Sequence, residues 1–139
     1  MVAQIQQVST HRALVIEDNE HVAYTLDFIL RRAGYDVIPI ANGRDAQSAI
    51  NNLVPVDIIL LDLMLPYVSG YQLLQEIRED ALWLHVPVLV LSGKVLEEDI
   101  VKALDLGAND YVTKPFRPEE LLARLRRLVT DHERMATGQ

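Results

Sequence analysis

The stretch Val56-Asp57-Ile58-Ile59-Leu60-Leu61-Asp62-Leu63-Met64-Leu65-Pro66 limits the fold more than any other part of the chain. From Asp57 to Leu61 it runs without polar–apolar alternation. A strand reads this way when it is covered on both faces, inside a parallel sheet flanked by helices. Pro66 can continue neither a ladder nor a helix interior, so Asp62 stands where the strand stops. Ligands of open α/β sheets bind at that carboxyl edge. A carboxylate in so apolar a setting is costly unless it is paired or holds a metal. Taken alone, an aspartate here could equally do no more than turn the chain.

The rest of the chain repeats the theme. Met1 to Thr10 is polar, glutamine-rich and aperiodic, which reads as a loose leader. His11 to Ile16 predicts a short buried strand that ends in Glu17-Asp18-Asn19-Glu20. Val22, Leu26, Ile29, Leu30 and Ala33 then recur at helical spacing up to Gly34. Tyr35 to Ile40 predicts a second strand, Asn42-Gly43 a turn, and Ala46, Ala49, Ile50 and Leu53 a second helix. After the Asp62 strand and a loop from Pro66 to Gly70 comes a helix carrying Tyr71, Leu74 and Ile77. A strand at Val86 to Leu91 follows and is closed by Ser92-Gly93-Lys94. Leu96, Ile100, Ala103 and Leu104 mark a fourth helix, and Asp110 to Thr113 a fifth strand. Leu121, Leu122, Leu125, Leu128 and Val129 mark a last helix starting near Pro118. The polar stretch from Asp131 to Gln139 predicts a fraying tail. Five strand–helix pairs in alternation imply an α/β fold, a parallel sheet with helices on both faces. One domain is expected over residues 11–130, with flexible termini at 1–10 and 131–139.

Composition closes off other classes. A chain of 139 residues suits one domain with one substantial core. No apolar run reaches the roughly 18 residues that a bilayer span requires, and the N-terminus lacks the basic-then-apolar order of a secretory signal. A cytoplasmic location without membrane contact is therefore expected. Cysteine is absent, which excludes disulfides and thiolate metal sites. Twenty acids against 13 bases, net −7, argue against nucleic-acid binding by this chain, because phosphate contacts need Lys and Arg. The basic run Arg124, Arg126, Arg127 reads as a solvated or dimer face. His11, His21, His85 and His132 show no ligand spacing, and with Trp83 they read as surface or packing residues.

Polar residues fall at the carboxyl ends of four predicted strands: Glu17-Asp18, Asp62, Ser92 and Lys114. Parallel strands bring such ends to one edge, so three carboxylates and one ammonium would share a pocket. Two carboxylates roughly 4 Å apart repel by about 4 kcal/mol at an effective dielectric of about 20. A fold accepts this where a cation belongs. Oxygen-only, carboxylate-rich ligation with room for water is what Mg²⁺ takes.

Together, Glu17-Asp18, Asp62, Ser92 and Lys114-Pro115 resemble, in order and spacing, the signature of response-regulator receiver domains of two-component systems. The resemblance covers residues 11 to 129. It implies a doubly wound, flavodoxin-like five-stranded sheet of strand order 2-1-3-4-5. It implies that Asp62 is the phosphoacceptor, taking a phosphoryl group from a phosphohistidine on a histidine kinase or phosphotransfer protein. Asp18, Asp62 and the backbone carbonyl of Met64 would hold Mg²⁺, and Glu17 would reach it through water. The metal and Lys114 would offset charge on the phosphoryl oxygens, and Ser92 would donate a hydrogen bond to the phosphoryl group. Gly93 would leave the approach open. Tyr111 matches the family's switch aromatic, whose ring turns inward when Ser92 engages the phosphoryl group. The Lys114–Pro115 bond would be cis. The departures are small: Glu17 where many members have Asp, Ser92 for the commoner Thr, and Met64 two residues past the acceptor with no proton to give or take.

Rival readings differ at single positions. A haloacid-dehalogenase-type phosphatase also uses a strand-end Asp nucleophile, but needs a second Asp two residues later, where this chain has Met64. A nucleotide-binding module would need a glycine-rich loop after the first strand, and Glu17-Asp18-Asn19-Glu20 is its electrostatic opposite. A receiver-like module that binds partners without phosphorylation would not need the full residue set.

Within receivers, Gly107 to Phe116 and Glu120 to Arg124 most resemble the subfamily that carries winged-helix DNA-binding domains. Those members dimerise on phosphorylation through the fourth helix, fifth strand and fifth helix. By position, Lys102 would face Glu120 and Asp110 would face Arg124 across a two-fold axis. Asn109 replaces one usual acid, so a weaker homodimer is expected. Ordinary solvated charges on a monomer are the alternative.

Overall fold

A computed structural model describes residues 10–138 of the chain, so the leader read at Met1 to Thr10 lies, apart from Thr10, outside the described residues. Strands β1 (His11–Ile16), β2 (Tyr35–Ile40), β3 (Ile58–Leu61), β4 (Val88–Ser92) and β5 (Asp110–Thr113) alternate with helices α1 (Glu20–Arg32), α2 (Gly43–Asn52), α3 (Gly70–Glu79), α4 (Glu97–Asp105) and α5 (Pro118–Thr137). All neighbouring strands pair in parallel, in the order β2-β1-β3-β4-β5.

The unalternating strands bury both faces. Leu14, Ile16, Ile59, Leu61, Val88 and Val90 pack with α2 and α3 through Ala46, Ile50, Leu73, Leu74 and Ile77, and with Ala103 of α4. Their neighbours Ala13, Val15, Ile58, Leu60, Leu89 and Leu91 face the other way, onto Leu26 and Leu30 of α1 and Leu121, Leu125 and Leu128 of α5. Trp83 is fully buried in the first of these layers. Polar residues set the starts of α1, α2 and α3. Asn19, Asn42 and Ser69 each accept a bond from the backbone N–H three residues on, at 3.1, 2.8 and 3.2 Å.

Several boundaries differ from the sequence reading. β3 starts at Ile58, because Asp57 turns its carboxylate back to accept from the Arg12 N–H at 2.7 Å. β4 starts at Val88 rather than Val86, since Pro87 has no N–H for the ladder, and it runs on through Ser92. Leu53, expected as a core position of α2, lies past the helix end and is exposed. Only Ala103 of α4 is buried, so Leu96 and Leu104 remain largely in solvent. α5 continues to Thr137 through the expected fraying tail. Glu133 on that extension accepts from the His11 ring at 2.9 Å, and Gly138 closes the helix with φ 76°.

Candidate functional site

Glu17, Asp62 and Lys114 follow directly on a ladder, and Ser92 ends one. The N–H of Glu17 donates to the Ile40 carbonyl at 3.0 Å, that of Asp62 to Ile16 at 3.0 Å, and that of Lys114 to Ser92 at 2.9 Å. The register pairs Ile16 with both Ile40 and Leu61, Leu61 with Val90, and Ser92 with Thr113. The residues predicted for one edge therefore converge on it.

Ligand oxygens of Glu17, Asp18 and Asp62 lie within 4.8 Å of one another. Glu17 and Asp62 are buried and Asp18 is exposed. The Lys114 ammonium donates to Glu17 at 2.7 Å and to Asp62 at 3.1 Å. The second Asp62 oxygen accepts from the Met64 N–H at 3.1 Å. Burial pushes the Glu17 carboxyl above its ordinary range, against the lowering effect of its bonds to Lys114 and to the Asn19 N–H. Burial alone would lower the Lys114 ammonium. The bond to Glu17 and the Asp62 charge outweigh it and hold that ammonium above its ordinary value.

One ammonium set against three carboxylates leaves an excess of negative charge facing solvent at Asp18. That donor set, all oxygen and open on one side, fits Mg²⁺. Asp18→Asn removes the carboxylate that Lys114 does not reach. The variant is expected to bind Mg²⁺ at least about tenfold more weakly while gaining about 0.5–1 kcal/mol of stability without metal. Mg²⁺ titration and urea melts in chelator check this. A variant less stable than the parent would mean the carboxylates do not repel one another.

Ser92 is fully buried. Its Oγ accepts from the Lys94 N–H at 3.3 Å, and the Lys94 carbonyl accepts from the Tyr111 hydroxyl at 2.8 Å. Ser92 and Tyr111 thus meet through one loop residue, with Tyr111 half-buried and its hydroxyl pushed up by burial. The Lys114–Pro115 peptide is cis.

The expected dimer residues are differently engaged. Arg124 donates to Asp110 at 3.0 Å and to Glu120 at 3.0 Å within its own chain. The Lys102 ammonium lies 4.2 Å from the centroid of the Tyr71 ring. Asn109, noted as a missing acid, plays a structural part, since its Oδ1 accepts from the Val88 N–H and from Arg78, both at 2.8 Å.

Sequence reasoning places a loop at Pro66 to Gly70 but misses its backbone conformation and contacts. Tyr67 adopts φ 73°, a left-handed conformation that costs a side-chain-bearing residue about 1–2 kcal/mol. Nothing in residue type flags it, although a turn after Pro66 is legible. Gly43 and Gly70 read in the sequence as a turn residue and a loop end, yet both are sites of close backbone approach.

Comparison with known proteins agrees with this geometry. Residues 13–126 match the response regulator receiver domain. The DNA-binding response regulator MtrA of Mycolicibacterium smegmatis is 42% identical over 115 residues, covering 83% of this chain and 49% of that protein. The alkaline phosphatase synthesis transcriptional regulatory protein PhoP of Bacillus subtilis is 38% identical over 122 residues, 88% of this chain and 50% of the relative. The chain thus spans about half the length of the curated relatives it matches. Among solved structures, the receiver domain of a sensor histidine kinase from Pseudomonas aeruginosa superimposes with a TM-score of 0.81 at 33% identity. It covers 88% of this chain and 99% of that one, and has a magnesium ion coordinated in its active-site cleft. A CheY-like receiver from Methanospirillum hungatei gives a TM-score of 0.85 at 26% identity, covering 91% and 99%. A matched family model over nearly the whole domain, the 2-1-3-4-5 sheet and the acidic cluster with its lysine at the carboxyl edge lead to one conclusion: the chain belongs to the response regulator receiver domains of two-component systems.

Proposed function

We propose that Asp62 is the phosphoacceptor, taking a phosphoryl group from a phosphohistidine on a histidine kinase or phosphotransfer protein. The observation that carries this is that Asp62 has the Lys114 ammonium at 3.1 Å and the carboxylates of Glu17 and Asp18 within 4.8 Å. A carboxylate oxygen of Asp62 forms the new O–P bond as the donor's N–P bond breaks, the bonding pair staying on the imidazole nitrogen. Lys114 offsets the charge spread over the phosphoryl oxygens, which is most of what a protein supplies to this transfer. Ser92 donates a hydrogen bond from its hydroxyl to a phosphoryl oxygen. Asp18, Asp62 and the Met64 carbonyl would hold Mg²⁺, with Glu17 behind them, and the metal would supply further charge neutralisation.

The chain is a stoichiometric acceptor in the cytoplasm rather than a turnover enzyme, since Met64 has no proton to serve as a general acid. The net charge of −7 suits a protein partner, not nucleic acid. Among the described residues no helix is long and apolar enough to cross a membrane. The testing experiment is incubation with acetyl phosphate and Mg²⁺, followed by mass spectrometry: one added phosphoryl mass at Asp62 supports the reading.

Output passes through α4, β5 and α5, where Leu96, Val101 and Leu104 are left exposed. Ser92 and Tyr111 link the acceptor to that face through Lys94. A second copy of the chain is the partner we assign to it, with Asp110, Glu120, Arg124 and Lys102 setting register. Exposed pairs contribute only about 0–1 kcal/mol each. Arg124→Glu, which would set like charges opposite Asp110 of the other copy twice by symmetry, is expected to weaken a beryllofluoride- and Mg²⁺-induced dimer at least about tenfold. Sedimentation at micromolar concentration measures it. Equal dimerisation of variant and parent would assign the face to another partner.

A further inference from the structure

We infer that Tyr67 and Arg44 form a fixed platform on which the protein phosphodonor docks as it reaches Asp62, so that they determine which protein donors are accepted. The inference rests on the phosphoacceptor reading above. Among the described residues Tyr67 is the one non-glycine residue with a positive φ, at 73°. Glycine adopts that conformation freely and a side-chain-bearing residue does not. Burial does not repay the strain, because Tyr67 is 70% exposed. A residue chosen for stability alone would be Gly or Asn.

What the strained backbone achieves is to place an aromatic ring in solvent on the loop that follows the acceptor strand. The Arg44 guanidinium covers that ring, 4.0 Å from its centroid, and among the described residues Arg44 has no carboxylate partner. The pair is held from below. The Gly43 N–H donates to the Pro66 carbonyl at 3.1 Å, Val68 N–H to the same oxygen at 2.9 Å, and Gly70 N–H to Leu63 at 2.9 Å. A Cβ at Gly43 would collide with the Val68 carbonyl, so α2 and the loop are in backbone contact. Tyr67 lies five residues past Asp62, and Met64 between them is 61% exposed. A protein delivering a phosphoryl group to Asp62 must cover this rim. Preset Tyr and Arg side chains are what dominate such contacts. A small-molecule donor has no surface with which to touch them.

The test compares two donors on the full chain. The protein donor is whichever purified, ³²P-labelled histidine-kinase fragment from the source organism transfers fastest to the parent; the small donor is acetyl phosphate with Mg²⁺. Tyr67→Gly, which relieves the strained φ, and Arg44→Gln are each expected to slow transfer from the kinase at least about tenfold, with acetyl phosphate labelling within about twofold of the parent. Tyr67→Phe keeps the stacked ring and should transfer like the parent. The inference is overturned by unchanged kinase transfer in both variants. Equal losses with both donors also overturn it, since the loop would then shape the acceptor itself. So does the failure of every kinase to label a parent that acetyl phosphate labels. A parent that acetyl phosphate does not label at Asp62 removes the phosphoacceptor reading, and this inference with it.

Discussion

Asp62→Asn is expected to gain no phosphoryl mass from acetyl phosphate and Mg²⁺ under conditions that label the parent, and to lose any response to beryllofluoride. The fold should survive. The Asp62 backbone is fixed by its N–H bond to the Ile16 carbonyl at 3.0 Å, which no side-chain change disturbs. Asparagine keeps the shape and one oxygen for the Met64 N–H, but an amide oxygen carries neither the charge nor the nucleophilicity of a carboxylate. Removing one of three clustered negative charges costs Lys114 a partner and relieves the repulsion of Glu17 and Asp18. The net stability change is therefore expected within about 1 kcal/mol. Intact-protein mass spectrometry beside a urea melt reads both halves. A variant labelled at the parent's rate would move the acceptor elsewhere, and Glu17 and Asp18 would be the first places to look.

The sheet and the site are legible in the sequence for the same physical reason. A parallel sheet covered on both faces leaves continuous apolar runs, and chemistry confined to its carboxyl edge leaves polar residues at their ends. Polar–apolar alternation is not needed to locate Asp62; the run Ile58 to Leu61 and the break at Pro66 suffice. Loops are another matter. Hydrophobic periodicity reports which face of an element is buried and is silent on how two loop backbones approach. The contact of Gly43 with Val68, that of Gly70 with Asp62, and the strained Tyr67 between them are therefore hidden from it. The polar segment after Asp131 has the composition of a tail, yet a helix of Asp131, Glu133 and Arg134 needs no apolar face once α5 has nucleated it. Asn109 stands out in the sequence for what it lacks in a dimer, while in the fold its amide carbonyl holds the start of β4.

Gly70→Ala is expected to destabilise the domain by about 3 kcal/mol, while Gly93→Ala changes stability by less than about 0.5 kcal/mol. Helix propensity alone predicts the opposite sign for Gly70, since alanine in a helix is favoured over glycine by up to about 1 kcal/mol. Packing decides against it. Gly70 opens α3, and a Cβ there would press on the Asp62 carbonyl oxygen and stand 2.6 Å from the Leu63 Cα. Those are backbone atoms, with no flexible side-chain end to swing away. Relief would have to come from one of two fixed parts. The start of α3 is capped by Ser69 and anchored in the core by Leu73 and Leu74. The end of β3 is held to β1 through Asp62 N–H and Ile16. At Gly93 nothing lies within 4 Å of the same added atom. Either shift moves the start of α3 relative to the end of β3 that leads into Asp62, so whatever Gly70→Ala protein remains folded should also take phosphate from acetyl phosphate more slowly than the parent, whereas Asp62→Asn loses the chemistry and keeps the stability. Urea midpoints for the two glycine variants settle it: a Gly70→Ala midpoint at or above the parent's would mean that α3 and the acceptor strand do not meet backbone to backbone.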